Sequence, residues 1–310
     1  MDLHTQSHKI AAAIDLAEAP VQEQSSELGL ITVVIPAYNE ENAIVETIHD
    51  VRKTMADSPY DYELIIVNDG SEDRTGEFAR LEGARVVNHE MNRGYGASLK
   101  DGIRSAKGDW IVITDADGTY PNDRIPDLLK YAGDNEMVVG ARSGSAAKIP
   151  LIRRPMKWLL SKLANYLAET RIPDFNSGLR VFRKDVAERF FRILPSGFSF
   201  TTTITLASLS QGYRVKYVPI AYYKRTGKSK IKPIRDTYNF FMLIIRTVLY
   251  FNPLRVFMPV GFTLLLFGLA KMTHEIVTAG GLAETSVLLI LAAFQTVALG
   301  LLADMIDKRI

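Results

Sequence analysis

The sequence of 310 residues carries 37 Lys and Arg residues against 35 Asp and Glu residues, a formal net charge of +2. Nucleic-acid-binding chains normally show a clear basic excess, so this balance argues against a nucleic-acid partner. The absence of cysteine excludes disulfides and cysteine-ligated zinc or iron–sulfur sites. A hydrophobic share of 47% is close to the average for globular proteins, and the length suits one ordinary domain plus a smaller part.

Residues 1–30 lack the basic start and the apolar run of a secretory signal. Gln, Ser, Glu and Ala dominate this stretch, which is predicted to be a mobile tail. The folded domain is predicted to span residues 31–232.

Short Val- and Ile-rich runs alternate with helix-like segments in the first half of the domain. The predicted strands are residues 31–36, 63–67, 84–88, 110–114 and 137–140, and the predicted helices are residues 42–54, 71–81, 94–106 and 124–131. Each apolar run ends in polar or glycine-containing sequence, as buried parallel strands do. The alternation predicts a doubly wound α/β domain, a mostly parallel sheet with helices on both faces.

Acidic residues follow three of the predicted strands. Glu40 follows the first strand, Asp69 the second, and Asp115 and Asp117 the fourth. Ligands of such sheets bind beyond the carboxyl ends of the strands, so we expect these loops to lie together. Each loop alone is also compatible with helix capping. Clustered carboxylates favour a hard divalent cation, Mg²⁺ or Mn²⁺.

Gly94 opens the helix before the fourth predicted strand, where free backbone N–H groups could face an anion. The surrounding sequence Asn-Arg-Gly-Tyr-Gly-Ala contains a single G-x-G and no complete dinucleotide fingerprint. The P-loop pattern G-x-x-x-x-G-K-[ST] is also absent from the sequence. Nicotinamide cofactors and phosphoryl transfer at a Walker site are therefore disfavoured.

Two apolar stretches lie near the C-terminal end of the sequence. Residues 285–303 carry no charge, and neither do residues 256–270 between Arg255 and Lys271. At about 1.5 Å per residue, the stretch 256–270 crosses a hydrocarbon core of roughly 30 Å only if Lys271 snorkels and the helix continues beyond it. Residues 254–310 are predicted to form a transmembrane hairpin with spans at about 255–277 and 285–304. The alternative is a pair of buried helices in a soluble bundle.

Charge around the hairpin predicts its orientation. Residues 224–235 contain six basic and no acidic residues, whereas residues 272–284 contain neither Lys nor Arg. The positive-inside rule then places the large domain and the C-terminus in the cytoplasm, as in a multi-pass protein of the cytoplasmic membrane. Residues 233–253 show an apolar face at helical spacing and are predicted to form an interfacial amphipathic helix; a core helix of the soluble domain is the alternative.

Five motifs in order resemble those of glycosyltransferase family 2, whose members have a GT-A fold. They are residues 36–40 (PAYNE), 68–71 (NDGS), 115–117 (DAD), 174–180 (DFNSGLR, similar to D-x-x-S-G-[FL]-R) and 225–230 (RTGKSK, similar to R-x-G-x-S-K). The last resembles the dolichol-phosphate mannosyltransferase branch, which makes polyprenyl-phosphate sugars. The resemblance covers roughly residues 31–232.

The resemblance implies roles for individual residues. It implies a nucleotide-sugar site, to which we also assign the glycine at the helix start: Pro36, Tyr38, Glu40, Asp69, Gly94, Asp115, Ala116 and Asp117. Asp69 would reach the base, and Asp115 and Asp117 would hold the metal with Thr119 as a weak third ligand. The catalytic group would be Asp117, Arg142, Asp174, Arg225, Ser229 and Lys230. Asp174 would act as a base for a hydroxyl acceptor or, as we favour, orient the acceptor loop.

The expected reaction is inverting transfer of one hexose, such as mannose or glucose, from a UDP- or GDP-sugar to undecaprenyl or dolichyl phosphate. A phosphate monoester has a second pKa of about 6, so this acceptor needs no base at neutral pH. The basic run 224–235 would offset its charge, or else attract lipid headgroups. A membrane-bound transferase for a hydroxyl acceptor (glycolipid or polysaccharide) and a catalytically silent scaffold are the alternatives. Small residues in the spans favour self-association as a homo-oligomer.

Overall fold

The computed structural model describes residues 28–143, 172–197, 199–223, 242, 249–250, 253–279, 281 and 283–307. The predictions for the N-terminal tail up to residue 27, for the basic run 224–235 and for most of the interfacial helix lie outside the described residues. The same holds for Arg225, Ser229 and Lys230.

The described chain contains an α/β domain followed by two long helices. The strands are β1 (Ile31–Ala37), β2 (Tyr62–Asn68), β3 (Arg85–Asn88), β4 (Trp110–Ile113), β5 (Met137–Arg142), β6 (Arg180–Arg183) and β7 (Val215–Ile220). The helices are α1 (Ile44–Ala56), α2 (Thr75–Leu81), α3 (Tyr95–Ser105), α4 (Ile125–Leu129), α5 (Lys184–Arg189), α6 (Phe200–Ser210), α7 (Leu254–Ala279) and α8 (Glu284–Asp307). A short 3₁₀ helix, Asn122–Arg124, precedes α4.

The seven strands form one mixed sheet in the order β3-β2-β1-β4-β6-β5-β7. Strands β1, β2, β3 and β4 pair in parallel, and so do β5 and β7, whereas β6 is antiparallel to both β4 and β5. The predicted mostly parallel sheet is therefore confirmed. Strands β6 and β7 were not predicted, because β6 (RVFR) begins and ends in charge and the edge strand β7 (VKYVPI) contains Lys and Pro.

Helices cover both faces of the sheet, as predicted. Every residue of β1 is buried. Val33 and Ile35 belong to a core shared with α1, and Val34 belongs to a second core shared with α3. Because successive side chains of a strand point to opposite faces, a strand buried on both faces reads as a continuous apolar run.

Two predicted helices are shorter than expected. Helix α2 begins at Thr75 rather than at residue 71, because the preceding loop bonds to the loop after β1 instead of continuing the helix. Residues 124–131 form only the five-residue helix α4, since the turn before it is 3₁₀.

Helices α7 and α8 pack against each other as a hairpin and are long and apolar enough to cross a membrane. Helix α7 continues past Lys271, and the ammonium group of Lys271 donates to Glu275 and Thr285 at the end nearer the interhelical turn. The continuation of the helix that the first span requires is therefore present, and snorkelling of Lys271 stays a prediction. Most of the apolar surface of the two helices is exposed, unlike that of core helices in a soluble bundle.

Small residues of the hairpin sit between its own two helices. An added Cβ at Gly261 would lie 2.7 Å from Val297, and one at Gly300 would lie 2.6 Å from Phe257. These contacts are used within one chain, so they no longer favour a homo-oligomer.

Candidate functional site

The three predicted acidic loops meet at one edge of the sheet. Strand β1 lies between β2 and β4 and is parallel to both, so their carboxyl ends point the same way. Ala37 is level with Asn68 at the ends of β1 and β2. The loops that follow, residues 38–43, 69–74 and 114–119, therefore lie side by side, and their convergence is confirmed.

Hydrogen bonds lock the first two loops together. The N–H of Asn39 donates to Ser71 Oγ (3.1 Å), and the N–H of Glu72 donates to Asn39 Oδ1 (2.9 Å). The N–H of Glu40 donates to Thr75 Oγ1 (2.8 Å). Asn39 adopts φ 55°, a left-handed conformation that Asn tolerates better than most residues. The half-buried residues on either side of it, Tyr38 and Glu40, thus stand on a loop that is fixed before any ligand binds.

Asp69 is buried at the end of β2, and its carboxylate accepts three hydrogen bonds. His89 Nδ1 lies 2.7 Å and the Arg93 N–H 2.9 Å from Oδ1, and the Gly94 N–H lies 2.8 Å from Oδ2. Burial raises the pKa of Asp69, but the bonds from Arg93, His89 and Gly94 outweigh it and the net pKa is lowered. Asp69 is therefore an anion held by the protein itself.

The backbone N–H at the start of α3 is also bonded to Asp69. The Gly94 N–H that the sequence left open to an external anion meets the Asp69 carboxylate instead. The glycine spacing has a further cause: an added Cβ at Gly96 would lie 2.1 Å from the Pro195 carbonyl oxygen, and one at Gly94, where φ is +98°, would lie 2.6 Å from that of Ser196. The G-x-G sequence allows the backbone around residues 195–197 to approach α3, and a nucleotide role for Gly94 stays a prediction.

The loop after β4 holds the two Asp residues of the DAD motif. Tyr95 donates its hydroxyl to Asp115 Oδ1 (3.0 Å). Buried Thr119 donates to Asp117 Oδ1 from its N–H (3.2 Å) and its hydroxyl (2.7 Å). Ala116 is buried between them, and its carbonyl accepts from Thr47 Oγ1 (3.1 Å). Thr119 thus orients Asp117 directly, whatever part its oxygen plays toward a metal.

The donor set of this loop fits a metal that is shared with a ligand. The described residues contain no group of three or more His, Cys, Asp or Glu side chains that could hold a metal by themselves. Mg²⁺ is usually bound by one or two carboxylates together with substrate phosphates rather than by an all-protein cage. Asp115 and Asp117 match an arrangement in which two carboxylates and substrate phosphates hold the metal together.

The DFNSGLR segment packs directly over Asp115. An added Cβ at Gly178 would lie 2.8 Å from Asp115 Oδ1, and the Gly178 N–H donates to the Tyr120 hydroxyl (2.7 Å). Burial raises the pKa of both Tyr95 and Tyr120, with the charge of Asp115 adding to the effect, so both remain phenols. These two tyrosines were not predicted as site residues, although Tyr95 is the middle residue of the G-x-G sequence and Tyr120 lies three residues after the DAD motif.

Arg142 and Asp174 form a bidentate ion pair at the end of β5. Arg142 Nε lies 2.6 Å from Asp174 Oδ2, and Nη2 lies 2.8 Å from Oδ1. The guanidinium also lies over the ring of Tyr222, 5.2 Å from its centroid. Burial raises the pKa of Asp174, but the hydrogen bond and charge of Arg142 outweigh it and lower the net pKa. A carboxylate of lowered pKa is a poor general base, which favours the orienting role for Asp174.

Arg180 anchors the same segment from below. Its side chain is fully buried and donates to the carbonyls of Ser177 and Thr201 (each 3.0 Å from one guanidinium nitrogen) and to Thr205 Oγ1 (2.9 Å). These bonds tie the DFNSGLR segment to α6.

The chain matches two protein-family models. The family model "Glycosyl transferase family 2" matches residues 32–191, and the model "GtrB C-terminal hairpin" matches residues 252–308. Because the first match covers more than half of the chain, the protein belongs to glycosyltransferase family 2.

The relatives of the chain include a transferase named for dolichyl phosphate and one named for undecaprenyl phosphate. A "Dolichyl-phosphate hexose transferase" of Haloferax volcanii is 32% identical over 66% of this chain and 87% of its own length. An "Undecaprenyl-phosphate 4-deoxy-4-formamido-L-arabinose transferase" of Pseudomonas fluorescens is 28% identical over 90% of this chain and 85% of its own. "Low-salt glycan biosynthesis hexosyltransferase Agl6" of Haloferax volcanii is 28% identical over 87% of this chain, which spans only 63% of that relative's length.

Solved structures share the fold at lower identity. Glucosyl-3-phosphoglycerate synthase from Mycobacterium tuberculosis, solved with Mn²⁺, UDP and glucosyl-3-phosphoglycerate, matches with a TM-score of 0.57 at 21% identity, over 76% of this chain and 84% of that one. Mannosyl-3-phosphoglycerate synthase from Rubrobacter xylanophilus matches with a TM-score of 0.58 at 18% identity, over 75% of this chain and 77% of that one. At these identities the likeness shows the GT-A fold alone.

Asp174→Asn removes the negative charge of the ion pair while keeping its shape. Because the pKa of folded Asp174 is lowered, the pair stabilises the fold above the unfolded-state pKa of about 4, and this contribution is lost as the pH falls through the folded-state pKa. The side chains are 31% and 11% exposed, so we expect the free energy of unfolding at neutral pH to fall by about 1–2 kcal/mol. Chemical denaturation at several pH values measures the difference, which should shrink toward acid pH.

The matched control is Asp185→Asn, which breaks a half-exposed pair with Arg183 and should have a smaller effect. A loss of stability in Asp174→Asn that stays constant down to about pH 2, well below the ordinary carboxyl pKa, would contradict the ion-pair interpretation.

Proposed function

We propose that the protein transfers one hexose, with inversion, from a UDP- or GDP-sugar to a polyprenyl phosphate. The carrying observation is that an acidic site at the carboxyl edge of a GT-A sheet and an apolar hairpin of membrane-spanning length occur in one chain. Named relatives that act on dolichyl and undecaprenyl phosphates support this acceptor class.

The donor would lie across the three loops at the ends of β1, β2 and β4. Asp69 would accept from the base, and Asp115 and Asp117 would hold Mg²⁺ or Mn²⁺ beside the diphosphate. A divalent ion bound there supplies positive charge to the diphosphate oxygens, which become more negative as the sugar leaves. The presence of Mn²⁺ and UDP in a structural neighbour of the same fold supports this choice of cofactor and donor.

The acceptor phosphate would attack without a protein base. One of its oxygens forms a bond to the anomeric carbon while the bond from that carbon to the nucleoside diphosphate breaks, and the diphosphate departs. A phosphate dianion needs no proton removed, in keeping with the lowered pKa of Asp174. Arg142, fixed by Asp174 at the carboxyl end of β5, would offer the acceptor phosphate a charged hydrogen-bond donor.

The hairpin would bring the catalytic domain to its substrate, because a polyprenyl phosphate cannot leave the bilayer. We assign the domain and the C-terminus to the cytoplasmic side of a cytoplasmic membrane, from the basic residues of the 224–235 run. Arg225, Ser229 and Lys230 would hold phosphate near the headgroups.

Incubation of the purified chain with a panel of UDP- and GDP-sugars tests this proposal. Each donor is offered undecaprenyl phosphate, dolichyl phosphate or a water-soluble hydroxyl acceptor, and the products are identified by mass spectrometry. We expect a mass gain of one hexose on the lipid phosphate and none on the soluble acceptor. Transfer to hydroxyl acceptors alone would establish the alternative reaction, and no transfer with any donor would favour a silent scaffold.

Asp117→Asn tests the metal assignment. The amide keeps an oxygen for the Thr119 bonds but loses the charge, so folding should be preserved. We expect the transfer rate to fall on the order of a hundredfold or more, because several kcal/mol of transition-state stabilisation depend on the metal. Asp123→Asn, at an exposed position after the same loop, is the control and should keep wild-type rates. Near-normal activity of Asp117→Asn with Mg²⁺ or Mn²⁺ would refute the assignment.

A further inference from the structure

His89 is a buried titratable side chain that none of the sequence motifs includes. It follows β3, and its side chain is only 4% exposed. Its two ring nitrogens each face a carboxylate: Nδ1 lies 2.7 Å from Asp69 Oδ1, and Nε2 lies 3.1 Å from Asp101 Oδ2. The ring therefore connects Asp69, at the proposed base site, with helix α3.

Asp101 is itself held from two sides. Arg93 Nη1 lies 2.7 Å from Oδ2, and Arg104 Nη1 lies 2.8 Å from Oδ1. Both arginine side chains are more than half exposed, whereas Asp101 is 20% exposed and His89 is buried. The polar chain thus runs inward from two surface cations through Asp101 and His89 to Asp69.

The backbone around this chain fixes its two ends. The N–H of Asp69 donates to the Ala37 carbonyl (2.9 Å), and the N–H of His89 donates to the Asn68 carbonyl (2.9 Å). Gly70, with φ +68°, leaves no space for a side chain, since an added Cβ would lie 2.4 Å from the Met91 backbone. The backbone on both sides of the bond between His89 and Asp69 is therefore fixed.

A carboxylate has about four acceptor positions. Three at Asp69 are filled by His89, Arg93 and Gly94, two on Oδ1 and one on Oδ2. Within the described part of the chain no fourth donor reaches it. One position on Oδ2 can accept from a ligand, and the bond from His89 to Oδ1 sets the rotation of the carboxylate and hence the direction of that position.

We propose that His89 is a positioning residue for base recognition, which orients Asp69 by donating from Nδ1 while Asp101 holds the opposite side of the ring. The inference rests on the proposed function in one respect, that Asp69 faces the nucleobase. An oriented carboxylate acceptor selects bases that present an N–H group on the pairing edge. Uracil and guanine do so, whereas cytosine and adenine present an unprotonated ring nitrogen there.

Two substitutions of His89 separate this role from a merely structural one. In His89→Asn the side-chain amide can replace Nδ1 and donate to Asp69, but it loses Asp101. In His89→Gln the amide can replace Nε2 and reach Asp101, but it loses Asp69. Both variants remove the imidazole and so disturb packing to a similar extent. Only His89→Asn keeps the hydrogen bond to Asp69.

Calorimetric titration of the full chain in detergent with UDP, GDP, CDP and ADP, each with Mn²⁺, measures base selectivity. For the wild type we expect UDP or GDP to bind more tightly than CDP and ADP. In His89→Gln that preference should shrink roughly tenfold, as expected for a misdirected hydrogen bond to a charged group. His89→Asn should recover most of it, and His49→Gln, at an exposed histidine on α1, should match the wild type.

Unchanged selectivity in His89→Gln would overturn the proposal. So would an equal loss of affinity for all four diphosphates in both variants together with earlier thermal unfolding, since that is the signature of a structural residue. Asp69→Asn distinguishes failure of the role of His89 from failure of the proposed base site. If this variant loses base selectivity while His89→Gln keeps it, only the role of His89 fails; if Asp69→Asn keeps wild-type selectivity, the proposed base site fails as well.

Discussion

The structure of the site depends on how the protein compensates carboxylates that are brought together at one edge of the sheet. Asp69 receives three internal donors, Asp115 receives a tyrosine hydroxyl and Asp117 receives the threonine two residues later. Each bond fixes an oxygen in place without neutralising its charge. The edge therefore remains anionic and rigid, which is what a shared divalent cation and a nucleotide donor require.

The acceptor side of the site carries positive rather than negative groups. Arg142 is held by Asp174 and packed on Tyr222, and buried Arg180 fixes the segment that carries Asp174. Positive groups of β5 and β6 thus lie beyond the acidic loops of β1, β2 and β4, because the antiparallel strand β6 is inserted between β4 and β5. In the proposed reaction this division of charge keeps two anionic substrates on neighbouring but different parts of one edge.

The sequence predicted the elements whose signal is local. Strands β1, β2 and β4 are continuous apolar runs, and the acidic motifs that follow them were found together with their convergence. Strand β6 was missed because four residues with charged ends carry no periodic signal. Tyr95 and His89 were missed because each meets its carboxylate across 20 residues, and Tyr120 was missed because it meets the Gly178 N–H across 58 residues. The close backbone approach at the two glycines of the G-x-G sequence was missed for the same reason, since the approaching loop lies about a hundred residues further along the chain.

Hydrogen–deuterium exchange with and without UDP or GDP and Mn²⁺ tests the location of the site most directly. The account predicts slower exchange in the loops 38–43, 69–74 and 114–119 and around residues 92–96. It predicts no change at the opposite edge of the sheet, around residues 106–109 and 132–136. Slower exchange confined to that opposite edge while the nucleotide binds would contradict the central claim.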